Sequence, residues 1–192
     1  VTSGKVILLG EHSVVYGRHA VAVPVPLNIR VNIEDADEGV LLMIPSWGVE
    51  YRLDKKPEER QSFEKPAALI LEEMNLSQTG MKIEVFSDIP RGMGLGGSAV
   101  MAVSIIKALN HHFLMNLSDE EINELAFESE KIAHGNPSGI DNTIATYGYP
   151  IIYRKSDPIL RERLQINKPF DLILAFSKSE GLTAKTVAHV RS

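Results

Sequence analysis

The 192-residue chain reads as an α+β protein. Three observations carry that reading. Strand-like stretches come in groups with helix-like stretches after them, where a doubly wound sheet would alternate the two. Apolar and polar residues alternate through the latter half of 21–34, with Leu27, Ile29, Val31 and Ile33 on one face and Asn28, Arg30 and Asn32 on the other. Residues 98–114 (SAVMAVSIIKALNHHFL) are apolar on nearly every side up to Lys107, which is the composition of a buried helix.

In chain order, KVILL (5–9) predicts a strand, and Lys5 at its start has the ordinary reading of a solvated flank. GEHSVVYGRHA (10–20) is a glycine-bounded loop. The extended stretch that follows holds Pro24 and Pro26, which cannot donate to a ladder and so place its early part at a sheet edge or entry. GVLLMIPS (39–46) and MKIEVFSDIP (81–90) predict two more strands. The charged run DKKPEERQSFE (54–64) reads as a solvated loop or helix start. The helix over 63–74 has its apolar spacing at Ala67, Ile70, Leu71 and Met74. Ser118 with Glu121 forms a capping box that opens a helix to about residue 133. RKSDPILRERLQINKP (154–169) reads as a connection, FDLILAFS (170–177) as a strand, and TAKTVAHVR (183–191) as a helix start. The expected division is a domain over 1–165 and the opening of a second over 166–192, ending on an element in progress.

With 44% hydrophobic and 23% charged residues the chain can bury a real core. A net charge of −5 without a Lys/Arg run argues against nucleic acid and against a membrane surface as partners. The absence of cysteine excludes disulfides, thiolate metal sites and a cysteine nucleophile, and fits a cytoplasmic protein. No apolar stretch reaches the roughly 18 residues of a membrane span.

The densest motif is IPRGMGLGGSAV (89–100), with glycine at 92, 94, 96 and 97. It lacks the lysine of a Walker A loop and the spacing of a dinucleotide fingerprint. A plain turn would need one or two glycines. Four of them before Ser98, at an expected N-cap, and before an apolar helix point to phosphate held on free amide groups at a helix N-terminus. Asp141, after the Pro-Ser-Gly turn in HGNPSGIDNTIATYG (134–148), reads on its own as an N-cap. Glu130 shares a helix face with Ala126 and Ala133, either at the rim of the apolar stripe or there to meet a cation. Glu124 and Glu128 have easier routes to solvent.

Together, GKVILLGEHSVVYG (4–17), PRGMGLGGSAV (90–100) and HGNPSGIDNTIATYG (134–148) resemble the GHMP kinase superfamily, and within it the mevalonate kinases. The resemblance implies a ribosomal protein S5 domain 2-like N-terminal domain followed by a ferredoxin-like domain, of which residues 166–192 would be the beginning. It implies ATP and Mg²⁺ as cofactors and mevalonate as substrate, and it leaves a homodimer open. By position, Gly92, Met93, Gly94, Leu95, Gly96, Gly97 and Ser98 match the loop around the ATP phosphates. Ser98 and Glu130 match the Mg²⁺ ligands, Asp141 the catalytic aspartate, and Lys5 the lysine that stands beside it and reaches the phosphates. Glu11, His12, Asp141 and Thr183 match the substrate side, and Ser46 a contact to the base. Gly97 departs from the family, where many members have a second serine. A sister kinase of phosphomevalonate, homoserine, galactose or the mevalonate 3-hydroxyl is the alternative. A non-catalytic member would have lost Lys5, Glu130 or Asp141, and all three are present.

Overall fold

The computed structural model describes residues 2–60 and 64–175. They form an α+β fold: one seven-stranded sheet in the order β4-β3-β5-β2-β6-β7, with β1 paired to β2, and four helices. β1 is Thr2–Leu9, β2 His19–Asp35, β3 Val40–Ile44, β4 Val49–Arg52, β5 Met81–Ser87, β6 Ile151–Arg154 and β7 Leu160–Arg163. The helices are α1 (Glu64–Glu73), α2 (Gly97–His112), α3 (Asp119–His134) and α4 (Ile140–Tyr147).

β2 is the spine. Val21 and Ala22 pair with both β1 and β6, and Ile29 pairs with both β1 and β5, so residues 23–28 have β1 on one flank and no strand on the other. Pro24 and Pro26 fall in that gap, where a missing N–H costs no ladder bond. The expected alternation holds: Ile29 is buried, while Leu27, Val31 and Ile33 pack against the core and Arg30 and Asn32 are exposed. Only β3 and β5 run parallel. Parallel neighbours need a crossover, and the chain makes it through β4 and α1. The main core lies between the sheet and α1–α3, and is built on Ile70, Leu71, Ile83, Val85, Val103 and Ile106. A second cluster, around Ala22, Ile140, Ile144 and Tyr153, seats α4.

Several expectations need correcting. β4 was not expected, since VEYR is too short and too polar to announce itself. The stretch 154–169 is more than a connection, because Leu160–Arg163 pairs antiparallel with β6. Phe170–Ala175 form no strand, and Ile173 is 92% exposed; residues 176–177, the helix expected at 183–191 and Thr183 lie outside the described residues. Glu64, at the end of the charged run, is fully buried and pairs with Lys55 at 2.7 Å.

Candidate active site

The glycine segment leaves β5 and turns into α2. Gly92, Gly94 and Gly96 all take positive φ. At Gly96 two demands coincide: φ is +72°, and a Cβ would come within 3.2 Å of the Lys5 side chain and 3.4 Å of Asp141. Gly96 is therefore the N-cap of α2, and Ser98 is its second residue, not the cap that the sequence suggested. An αL glycine caps without a side-chain acceptor, so the first amides of α2 keep their donors open. Leu95 is buried as the loop's anchor, and its carbonyl accepts from the Lys5 amide at 3.1 Å.

That bond turns Lys5 inward. Its side chain is 5% exposed, its ammonium donates to the Gly94 carbonyl at 2.8 Å, and it stands 3.3 Å from the Asp141 carboxylate. The solvated-flank reading of Lys5 is thus overturned. Asp141 is not an N-cap either. Gly139, at φ 87°, caps α4 and leaves Asp141 as the helix's second residue, free to reach β1.

α3 begins at the expected capping box, with both reciprocal bonds of Ser118 and Glu121 present. Its buried stripe runs Ile122, Ala126, Ser129, Glu130; Ala133 is exposed, so Glu130 stands at the rim. The Ser98 hydroxyl donates to Glu130 at 2.5 Å, and His134 lies 3.6 Å from its other oxygen. Burial pushes the Glu130 carboxyl above its ordinary pKa, against the opposing pull of the Ser98 hydrogen bond and of His134. A buried acid of this kind is relieved by a cation. Among the described residues no group of three His, Asp or Glu side chains is poised to hold a metal. One carboxylate and one hydroxyl do fit Mg²⁺ carried on a polyphosphate, whose remaining ligands are phosphate oxygens and water.

The other expected residues lie further out. Ser46 is exposed on the 3₁₀ turn Pro45–Trp47, beside Trp47, whose ring takes the Arg91 guanidinium at 5.2 Å, so this turn borders the start of the glycine loop. Glu11 is exposed, and His12 holds φ 62° just before the turn Ser13–Tyr16, an uncommon backbone for a residue with a Cβ.

A separate cavity of about 650 Å³ is bordered by α3, α4, β6 and β7, with Glu120, Asn123, Phe127, Asn142, Tyr153 and Arg161 among its walls. None of Lys5, Ser98, Glu130 or Asp141 lines it. Glu120 accepts from Tyr147 at 2.7 Å and from Arg161 at 2.8 Å. Arg161 and Tyr147 hold the Glu120 carboxyl below its usual range, and burial, with Glu120 beside it, pushes the Tyr147 phenol up to about 12.

Residues 62–149 match the model of the GHMP kinases N terminal domain. This chain carries the N-terminal domain of the GHMP kinases. The glycine segment, α2, α3 and Asp141 all fall inside the matched span. The chain is 34% identical over 202 residues to the mevalonate kinase of Pyrococcus furiosus, covering 97% of this chain and 59% of that one. It is 35% identical over 188 residues to the mevalonate kinase of Archaeoglobus fulgidus, covering 97% and 61%. Among solved structures, a Methanococcus jannaschii mevalonate kinase superposes with a TM-score of 0.74 at 26% identity over 85% of this chain and 54% of that one. An L. major mevalonate kinase in complex with R-mevalonate gives 0.64 at 34% identity, over 80% and 47%. The chain thus spans about three-fifths of the length of those two curated relatives, 59% and 61%. No helix among its described residues is long and apolar enough to cross a membrane.

Sequence reasoning missed Asn123 and Asn142, which join α3 to α4 beside Asp141. The available signal was periodicity: Asn123 precedes Glu130 by two turns and shares its face.

Proposed function

We propose that this chain is the nucleotide-binding part of an ATP-dependent mevalonate kinase, which transfers the γ-phosphoryl group to the primary hydroxyl of mevalonate. The observation that carries the proposal is the convergence of Lys5, Asp141 and the Ser98–Glu130 pair on one glycine loop. The names of the relatives support the choice of acceptor.

In this reading the open amides between Gly92 and Ser98 hold the phosphates, helped by the positive end of α2. Lys5 spans the loop and Asp141, and neutralises charge that spreads over the γ-phosphoryl oxygens as transfer proceeds. Asp141 accepts a hydrogen bond from the acceptor hydroxyl, aligns it for in-line attack, and takes its proton late, since little bond formation precedes departure in a loose transition state. Lys5 therefore contributes more to lowering the barrier than proton removal does. Ser98 and Glu130 would hold Mg²⁺, which supplies charge neutralisation at the β- and γ-phosphates when bound. Glu11, with His12 in its unusual backbone, belongs to the acceptor side, and Ser46 to the base side. Thr183 is proposed for the acceptor side on resemblance alone.

The test is an ADP-release assay on the full-length protein with a panel of alcohols: mevalonate, phosphomevalonate, homoserine and galactose. Mevalonate should be turned over at least about 10²-fold better in kcat/KM than the others, the discrimination expected when a site's buried polar groups are built for one acceptor. Preference for another alcohol on the panel would move the protein to a sister kinase. Failure of every acceptor would remove the kinase assignment.

A further inference from the structure

Asp141 meets Lys5 through a helix that must itself be held in place. α4 has only eight residues, too few to be stable alone. Its first turn is tethered next to Asp141: the Asn142 side-chain amide donates to both the Oδ1 and the main-chain carbonyl of Asn123, at 2.8 and 3.2 Å. Asn123 lies on α3 seven residues before Glu130. That spacing puts the two on one face, about 10 Å apart along the axis. The same face of α3 therefore grips α4 through Asn123 and α2 through Glu130 and Ser98.

We infer that Asn123 and Asn142 are positioning residues, and that α3 acts as a ruler fixing Asp141 relative to the Ser98–Glu130 pair. This inference rests on reading Asp141 as the carboxylate that orients the acceptor. A stabilising role alone does not explain the choice of residue. Asn142 is 2% exposed, and its Oδ1 finds no hydrogen-bond partner among the described residues. An orphaned buried acceptor keeps its full desolvation penalty, which leucine would avoid at similar volume. What leucine cannot do is register α4 against a particular residue of α3. The other ties on α4 are more distant from Asp141. Tyr147, the last residue of α4, donates to Glu120 of α3 at 2.7 Å and accepts from Arg161 at 2.7 Å. Lys107 of α2 donates to the Thr146 carbonyl at 2.6 Å, and Tyr153 donates to the Ser138 carbonyl at 2.9 Å before the helix begins.

The test compares N142L, N123A and N123D with wild type in the full-length protein, using whichever alcohol the wild type phosphorylates. N142L removes both bonds. It should lower kcat by roughly 10- to 10²-fold, the cost of a misplacement near 1 Å, with KM for ATP within twofold of wild type and no loss of melting temperature. N123A keeps the main-chain acceptor and should lose less, and N123D restores an Oδ1 acceptor and should recover most of the rate. Crystal structures of wild type and N142L in one crystal form supply a readout independent of turnover, with the Lys5–Asp141 separation expected to lengthen beyond 4 Å in the variant. An unchanged separation overturns the proposal whatever the acceptor proves to be, and so does a kcat that falls only in step with melting temperature. If the separation lengthens while mevalonate is not a substrate, the ruler stands and only the choice of acceptor fails.

Discussion

Two charged neighbourhoods meet at α4. Around its first turn, Lys5, Asp141, Glu130 and Ser98 gather against the glycine loop, with Lys5 and Glu130 almost wholly buried. Around its last residue, Tyr147 joins Glu120 and Arg161 at the mouth of the 650 Å³ cavity, where Glu120 is 56% exposed. The two carboxylates sit on the same helix and are shifted in opposite directions: burial raises Glu130, while hydrogen bonds from Arg161 and Tyr147 lower Glu120. One is left wanting a cation, and the other already has one. Concavity and chemistry part company here. The 650 Å³ cavity has the satisfied Glu120–Arg161 pair in its wall, and the cluster of Lys5, Asp141, Ser98 and Glu130 lies outside it, over a helix N-terminus.

The sharpest way to break this contrast is to remove one charge from each neighbourhood. Asp141→Asn and Lys5→Met should each lower kcat by about 10²–10⁴-fold, the range for a positioned acid–base or charge-stabilising group. Arg161→Met, tested in the same assay, should leave kcat within about threefold. An equal loss from Arg161→Met would show that the cavity belongs to the reaction.

Two glycines sharpen the contrast next. Gly96→Ala meets both strain at positive φ and crowding against Lys5 and Asp141, whereas Gly94→Ala meets the strain with nothing within 4 Å. Strain of this kind costs about 1–2 kcal/mol, so Gly94→Ala should lose that much in a urea melt and Gly96→Ala clearly more. Nucleotide affinity should fall with Gly96→Ala, as read by calorimetry.

Glu130 offers a test by pH. Its folded pKa lies above the unfolded one, so its contribution to stability is complete below the ordinary carboxylate pKa and is lost as pH rises through the folded value. Without nucleotide or metal, Glu130→Gln should therefore melt higher than wild type at neutral pH, with the advantage vanishing toward pH 4. The same variant should need more Mg²⁺ for half-maximal rate. The smallest effect belongs to Glu120. Its lowered pKa gives stability that is present above the ordinary value and lost as pH falls. At this exposure the pair supplies no more than about 0.5 kcal/mol, so Glu120→Gln should barely blunt the acid limb of a melting curve.

The α+β fold was legible wherever periodicity is strong. α2, α3 with its capping box, and the alternating half of β2 need no tertiary information. Short elements were not legible: β4 and β7 have four residues each and exist because a neighbouring strand gives them a partner. At the candidate site, local rules misled at the helix starts. Ser98 and Asp141 are residue types that normally cap helices, yet glycines in the αL conformation take both caps and leave those side chains to reach across to other elements. Lys5 looked solvated because nothing near it in sequence announces the loop that covers it 89 residues later. The Asn123–Asn142 tether was legible only by half: periodicity puts Asn123 on the face of Glu130, but its pairing with Asn142 has no meaning until two helices are set side by side.

The bond from the Lys5 amide to the Leu95 carbonyl has a use of its own. It stitches the outer edge of a strand to the apex of the glycine segment, so the two part only when that segment lifts. Deuterium uptake at this one amide would then time the opening of the loop, and its slowing on addition of ATP would mark the moment the triphosphate is clasped.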